Sequence, residues 1–469
     1  MLDKNLAADV LTAALSGLGS FAELFVENAL QHQIAVVNGN VEKAVSGVDY
    51  GCGIRVITGN SAVYAYTTDC SRDSLLRLAL EAAQATQESR NKPGPDMDIG
   101  LNTIQLPFLV YRPEVVHHVK DIDSDKAVAR DLLRLAGEAA FAYSPLITQT
   151  TGRFINNVQD VLICNSEGLY AEDRRVRTRI SGSAVASSCN EKQTGAFSPG
   201  AHKGLEFLSE TDIVALSKKA AQTAVTMLHA DLCPAGKMPV VVENGFGGVV
   251  FHEACGHSLE ATAVAKGASV FTGKLGQKIA SVSVTAIDDG TMPGLWGSQH
   301  IDDEGAPTQK NVLIENGILK SYMVDRLNGI RMNAASTGSS RRESYRFAPT
   351  SRMTNTYIAN GAFCPEDIIR ATEYGLFAKE MGGGSVSPAT GEFNFAVSEG
   401  YMIRSGKLAE PVRGATLIGK GHEVLLNIDM VGNNLRLEPG MCGSKSGSVP
   451  TGVGQPRIRV SEILVGGRK

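Results

Sequence analysis

Hydrophobic positions along this chain follow two rhythms, and each switch between them marks an element. Residues 6–15 carry apolar side chains at helical spacing; 21–26, 34–37, 53–58 and 62–67 then alternate as short strands. Helical spacing returns over 71–87, where Leu75, Leu78, Ala79 and Ala82 make one apolar face. Residues 90–99 contain Pro93, Gly94 and Pro95 and read as the clearest linker. A second segment begins with a helix expected over 124–141, N-capped by Asp123 or Ser124. Strands over 147–154, 158–165, 170–186 and 194–198 follow, then a closing helix near 212–229. Helix, strands, helix thus occurs twice before Cys233, Pro234 and Gly236 mark a boundary.

The remainder opens with a buried strand at 238–243 and the turn Asn244-Gly245-Phe246-Gly247-Gly248, then a helix carrying VVFHEACGHSLEATAVA. Beyond it lie mostly strands and glycine-rich loops. The fold class expected is α+β: two α+β N-terminal units followed by a β-rich C-terminal domain carrying the metal-binding helix. With 469 residues the chain exceeds what one core serves. The expected divisions are 1–95, 96–233 and 234–469. Fifty glycines and a single tryptophan agree with sheets joined by tight turns.

A net charge of −4 leaves no electrostatic footprint for nucleic acid or an anionic membrane. The N-terminal stretch lacks the basic region and unbroken apolar core of a signal peptide, and no window reaches the ~18 apolar residues of a membrane span. A cytoplasmic protein is expected. Its eight cysteines are scattered without a CxxC pair, as buried thiols of a reducing compartment would be.

Chemistry concentrates in His252-Glu253-Ala254-Cys255-Gly256-His257. Imidazole is a common zinc ligand, and a glutamate beside the first ligand can polarise a metal-bound water. Two surface histidines on a solvated helix would be the plain alternative. Val249, Val250, Phe251, Leu259 and Ala261 instead make this segment apolar, and buried histidines need partners. The spacing carries a geometric consequence: residues five apart lie about 140° apart around a regular helix, too far to share one ion. An i→i+5 widening would bring them together, and Gly256 would ease it. A third ligand is needed, and Cys255, Glu260, His300, His422 and Cys442 are the candidates. Cys442 lies in Pro439-Gly440-Met441-Cys442-Gly443-Ser444-Lys445-Ser446-Gly447, which reads as a flexible loop.

FHEACGHSLEA, IDDEGAPTQ, GSSRRESYRFAPTSRMTNTYI, EMGGGSVSPATGEFNF and GMCGSKSG followed by VPTGVGQP together span nearly all of 237–469. In combination these runs resemble the TldD/PmbA family, and the histidine motif resembles its metal-binding TldD branch. The resemblance implies that His252, His257 and Cys442 hold one zinc ion per chain and that Glu253 is the catalytic base. It implies hydrolysis of short or unfolded peptides, and pairing with a PmbA-like partner lacking the histidine motif, or with a second copy. A zinc hydrolase of a non-peptide amide and a non-catalytic scaffold stapled by zinc are the competing readings.

Three further features are weighed. Arg341, Arg342, Arg346 and Arg352 read as a solvated basic surface, with carboxylate anchoring as the functional alternative. Gly382-Gly383-Gly384-Ser385 reads as a place of close backbone approach by a peptide or a neighbouring strand. Asp302-Asp303-Glu304-Gly305 reads as a charged turn rather than a hard-cation site.

Overall fold

Along Phe21–Val37, Ala22, Leu24 and Val26 point to one side of a sheet, while Glu23, Phe25 and Glu27 point to the other, as the two-residue repeat of a strand requires. The computed structural model describes residues 2–88, 109–111, 122–387 and 390–467; the linker read at 90–99 lies outside them. Phe21–Val37 is one continuous strand containing both short strands expected there, and Ile147–Asn165 likewise unites 147–154 with 158–165. These two long strands pair with each other, so the two N-terminal units share a single eight-stranded sheet. Its order is Ser61–Thr67, Asn40–Thr58, Phe21–Val37, Ile147–Asn165 and Leu169–Ser188, with Leu109–Tyr111 on the far edge.

Helices cover one face of this sheet. Lys4–Ala14, capped by Asp3, and Arg72–Glu88 set Val10, Leu11, Leu75 and Ala79 against Leu24, Val26, Ile54 and Val56. Ile122–Tyr143 and Ile213–Leu228 cover the other end. The helix beginning at Ile122 starts two residues before the expected 124, so Asp123 and Ser124 lie inside its first turn instead of capping it.

The opposite face is polar yet buried, because the C-terminal domain packs on it. Arg55 is 1% exposed and donates from Nη2 to Glu23 and Glu304, each at 2.7 Å. Arg342 joins Glu23 from the C-terminal side, and Arg175 bridges Asp173 at 3.1 Å and Asp303 at 2.6 Å. Glu23 of Phe21–Val37 thus meets Arg342, while Arg55 of Asn40–Thr58 and Arg175 of Leu169–Ser188 meet the turn at 302–305. That turn is charged, as read, but buried, and its cations are guanidinium groups. The arginine cluster departs from its reading: Arg341, Arg342 and Arg352 are buried and only Arg346, paired with Asp49, stays partly exposed. Their partners lie outside the run itself, so nothing in the run distinguishes them from surface arginines.

In the C-terminal part, Tyr374–Val386, Gly236–Val242, Ile458–Gly466, Thr416–Lys420 and Glu392–Arg404 pair in that order. The last closes on the first, making a small barrel. Val240, Val242, Leu376, Phe393, Phe395, Leu417 and Val465 fill it, in one cluster with Val250, Phe251 and Ala254. The glycine run sits where Tyr374–Val386 slips register against Glu392–Arg404. A Cβ on Gly384 would lie 2.1 Å from the Phe395 ring, so a neighbouring strand makes the close approach. A separate six-stranded sheet ends in the hairpin Arg436–Ser444 and Gly447–Gln455. No described helix is long and apolar enough to cross a membrane.

Replacing Arg55 by methionine would leave Glu23 and Glu304 buried with one cation fewer. The variant should lose about 3–5 kcal/mol of stability, read as a lowered urea midpoint; an unchanged midpoint would contradict the assigned role of this interface.

Candidate metal centre

The chain leaves the barrel wall at Val242 and runs through a 3₁₀ turn at Gly245–Gly248. The single helix expected over the histidine motif is instead a succession of short turns of three kinds. An α-turn at Val249–Phe251 leads to a π-helical segment at His252–Gly256 and a 3₁₀ turn at His257–Leu259. Glu260 is extended, and Ala261–Val264 resumes as a short helix. The π-segment is the i→i+5 widening that the five-residue spacing requires, and it lies between the two histidines.

The expected role of Gly256 is different. Its backbone is ordinary right-handed helix, φ −54° and ψ −51°, so conformational freedom is not used. What glycine provides is room: an added Cβ would sit 2.3 Å from Sδ of the fully buried Met353.

Cys442 also departs from its reading. It lies in the strand Arg436–Ser444, opposite Val449 of the partner strand, and not in a flexible loop. The hairpin carries its thiol to both histidines. His252 Nε2 and His257 Nε2 each lie 3.3 Å from Cys442 Sγ, and the two rings stand edge to face at 5.2 Å. The three donor atoms fall within 4.8 Å of one another. A tetrahedral zinc with ordinary Zn–S and Zn–N lengths holds sulfur and nitrogen about 3.6 Å apart. The observed separations and the donor set, two imidazoles and a thiol, fit such an ion.

Electrostatics favour the ligating form of the sulfur. Burial pushes the Cys442 thiol up, but His252 and His257 reverse this and set it at about 4. Burial also pushes the His257 imidazole down, and Glu260 with Cys442 more than reverses that, holding it well above its usual value. Glu260 is 4% exposed, and its Oε1 faces His257 Nδ1 at 3.2 Å. His252 Nδ1 and Glu260 Oε1 are both buried without a hydrogen-bond partner. Glu253 stands on the open side, its side chain 29% exposed and Oε2 3.7 Å from His257 Nε2.

The remaining candidates stand outside this cluster. Cys255 is buried in the C-terminal core, where burial raises its thiol pKa. His300 is turned to Asp173 at 2.9 Å, and His422 lies on the short helix Gly421–Leu426 beside Glu423. Glu260, weighed as a ligand, sits behind His257 instead. Arg352, read as surface, is 0% exposed and donates to the backbone oxygen of Cys442.

Family models cover most of the chain. Those described as PmbA/TldA metallopeptidase domain 1, central domain and C-terminal domain match residues 22–86, 117–228 and 235–467. The chain belongs to the PmbA/TldD family. It is 36% identical to the Metalloprotease TldD homolog of Haemophilus influenzae over 454 residues, covering 95% of this chain and 93% of that protein. A relative of the same name from Buchnera aphidicola subsp. Schizaphis graminum is 34% identical, with 95% and 92% covered. TldE from Thermococcus kodakarensis shares the fold at TM-score 0.76 and 18% identity, with 98% of this chain and 100% of that one covered. Within this PmbA/TldD chain the histidines and the cysteine of the cluster come from the region matched by the C-terminal domain model.

Gly256→Ala should force Met353 or the π-segment to shift and cost about 1–3 kcal/mol. Adding Met353→Ala should make the glycine change nearly neutral, since the cavity then accepts the methyl group. Chemical denaturation of the four members of this cycle checks it; additive losses would contradict the packing argument.

Proposed function

We propose that this chain is a zinc-dependent peptidase acting on short or unfolded peptides, with one zinc held by His252, His257 and Cys442. The observation that carries the proposal is the convergence of two imidazole Nε2 atoms, each 3.3 Å from one Sγ, beside a partly exposed glutamate. Three protein donors leave a coordination position for water or substrate, as in catalytic zinc sites, whereas structural sites close with four. That count favours an enzyme over a zinc-stapled scaffold. The metalloprotease names of the relatives support a peptide over another amide as substrate.

Bound there, zinc supplies Lewis acidity toward the scissile carbonyl and toward water. The chain's own residues do the rest. Glu253, exposed enough to reach solvent, takes the proton of the attacking water and returns it to the leaving amine nitrogen. Glu260, buried behind His257, faces the ring nitrogen turned away from the sulfur and fixes the ring's orientation. The two acids are separated by burial, and only the exposed one exchanges protons with substrate.

The cytoplasm is the proposed location, supported by eight cysteines that are all free. The family resemblance supports pairing with a PmbA-like subunit, or with a second copy, so that extended peptides alone reach the metal. Light scattering of the chain, alone and with such a partner, should show a dimer in at least one case; a monomer in both that still degrades peptides would remove the enclosure.

Purified full-length chain should carry about one zinc and cleave a pool of unfolded peptides. Glu253→Gln should keep the zinc and lose roughly 10²–10⁴-fold in rate. Absence of a transition metal after zinc is supplied would remove the metal, and wild-type cleavage by Glu253→Gln would remove the base.

Metal binding should also release protons. Ligation needs neutral imidazole, and Glu260 and Cys442 raise the His257 imidazole well above its usual value while the histidines set the Cys442 thiol at about 4. Zinc affinity should therefore rise with pH up to the raised pKa of His257 and fall as acid is added. Calorimetry in buffers of different ionisation enthalpy should find about one proton expelled per zinc at neutral pH; none expelled would contradict the assignment.

A further inference from the structure

Glu260 and Arg352 are not needed for the donor set, yet both are buried against it. Glu260 leaves the helical path with φ −74° and ψ 129°, and the two residues that follow it are pinned. Ala261 N donates to Met323 O at 2.8 Å, and Thr262 N donates to Ser351 Oγ at 2.9 Å. Its carboxylate is thereby set between His257 Nδ1 at 3.2 Å and Arg352 Nε at 3.7 Å. The other edge of the Arg352 guanidinium faces the hairpin. Nη1 donates to Ser446 Oγ and Gly447 O, each at 2.9 Å, and Nη2 donates to the carbonyl of Cys442 itself.

One guanidinium therefore joins the two segments that meet at the metal, although His257 and Cys442 are 185 residues apart in sequence. Other buried arginines do something else. Arg55, Arg175 and Arg342 pair with acids that lie away from His252, His257 and Cys442, and hold the N-terminal sheet to the C-terminal domain. Arg352 is aimed at the backbone of one proposed ligand and, through Glu260, at the ring of another.

We propose that Glu260 and Arg352 work as a coupled pair of positioning residues that fixes the His257 ring and the Cys442 hairpin in one arrangement for metal. This rests on the zinc reading given above. The geometry assigns each part. Glu260 orients an imidazole, as carboxylates behind metal-ligating histidines commonly do. Arg352 has a planar fork whose Nε edge faces the Glu260 carboxylate at 3.7 Å while Nη1 and Nη2 donate to the hairpin bearing Cys442. A lysine ammonium, a single point of charge, cannot span both.

The test uses full-length chain with Glu260→Gln, Arg352→Lys and the double substitution. Zinc affinity is read by competition with a chromophoric chelator. The thiolate-to-metal band of the cobalt-substituted chain reports the Cys442 bond directly. Each single variant should bind zinc about 10–100-fold more weakly and shift the cobalt band. The double variant should be no weaker than the poorer single one, because the pair acts as a unit. Urea unfolding of the metal-free variants separates this from general destabilisation, which lowers the midpoint without moving the cobalt band. Should Arg352→Lys not fold, the isosteric Glu260→Gln still decides. Zinc affinity and cobalt spectra matching the wild type, or losses that simply multiply in the double variant, overturn the inference alone. A wild-type chain that binds no zinc overturns the zinc reading together with it.

Discussion

Two side chains five residues apart on a regular helix diverge by about 140° and cannot face one atom. His252 and His257 do face one atom, the sulfur of Cys442, and the structure around them is arranged to permit it. The helix takes an extra residue into one turn, Gly256 leaves room for Met353 against that turn, and Glu260 ends it at once by going extended. The barrel gives this distorted segment its footing, since Phe251, Ala254 and Cys255 pack into the same core as the barrel strands. The thiol arrives on a strand rather than a loop, so its position is set by backbone pairing.

The N-terminal sheet also has a part in placing that strand. Trp296 donates to Gly440 O at 2.8 Å and Arg179 to Pro439 O at 3.2 Å, while Arg179 itself stacks on Trp296. Arg177 in turn holds the carbonyls of Trp296 and Ser298. A line of contacts thus runs from the polar face of the N-terminal sheet to the strand bearing Cys442. The buried charges at that interface are costly to remove singly, which ties the geometry of the centre to the docking of both halves.

The sequence made local matters legible and long-range ones not. Helices at 6–15 and 71–87 follow from apolar spacing, and the π-segment follows from the separation of the histidines. The middle of Phe21–Val37 was missed because its polar residues break the alternation, although they are paired with both neighbouring strands. Asn40–Thr58 was shortened for a similar reason: its first half is exposed on both faces. Cys442 reads as part of a loop because 439–447 is rich in glycine and serine, whereas the pairing of Arg436–Ser444 with Gly447–Gln455 is made by backbone groups. The arginines at 341, 342 and 352 were read as surface because their partners lie at 23, 260, 303, 353 and 442–447. The FHEACGHSLEA run shows two acids, and nothing local says that Glu253 is partly exposed and Glu260 buried.

The central claim is that two imidazoles and one thiolate, drawn from segments far apart in the chain, hold a single zinc. X-ray absorption at the zinc edge of the loaded full-length chain tests it most directly. The account predicts one sulfur neighbour at about 2.3 Å and nitrogen or oxygen neighbours at about 2.0–2.1 Å, with the sulfur signal lost in Cys442→Ser and kept in Cys255→Ser. A spectrum without sulfur, or one in which Cys255→Ser removes the sulfur, would contradict it.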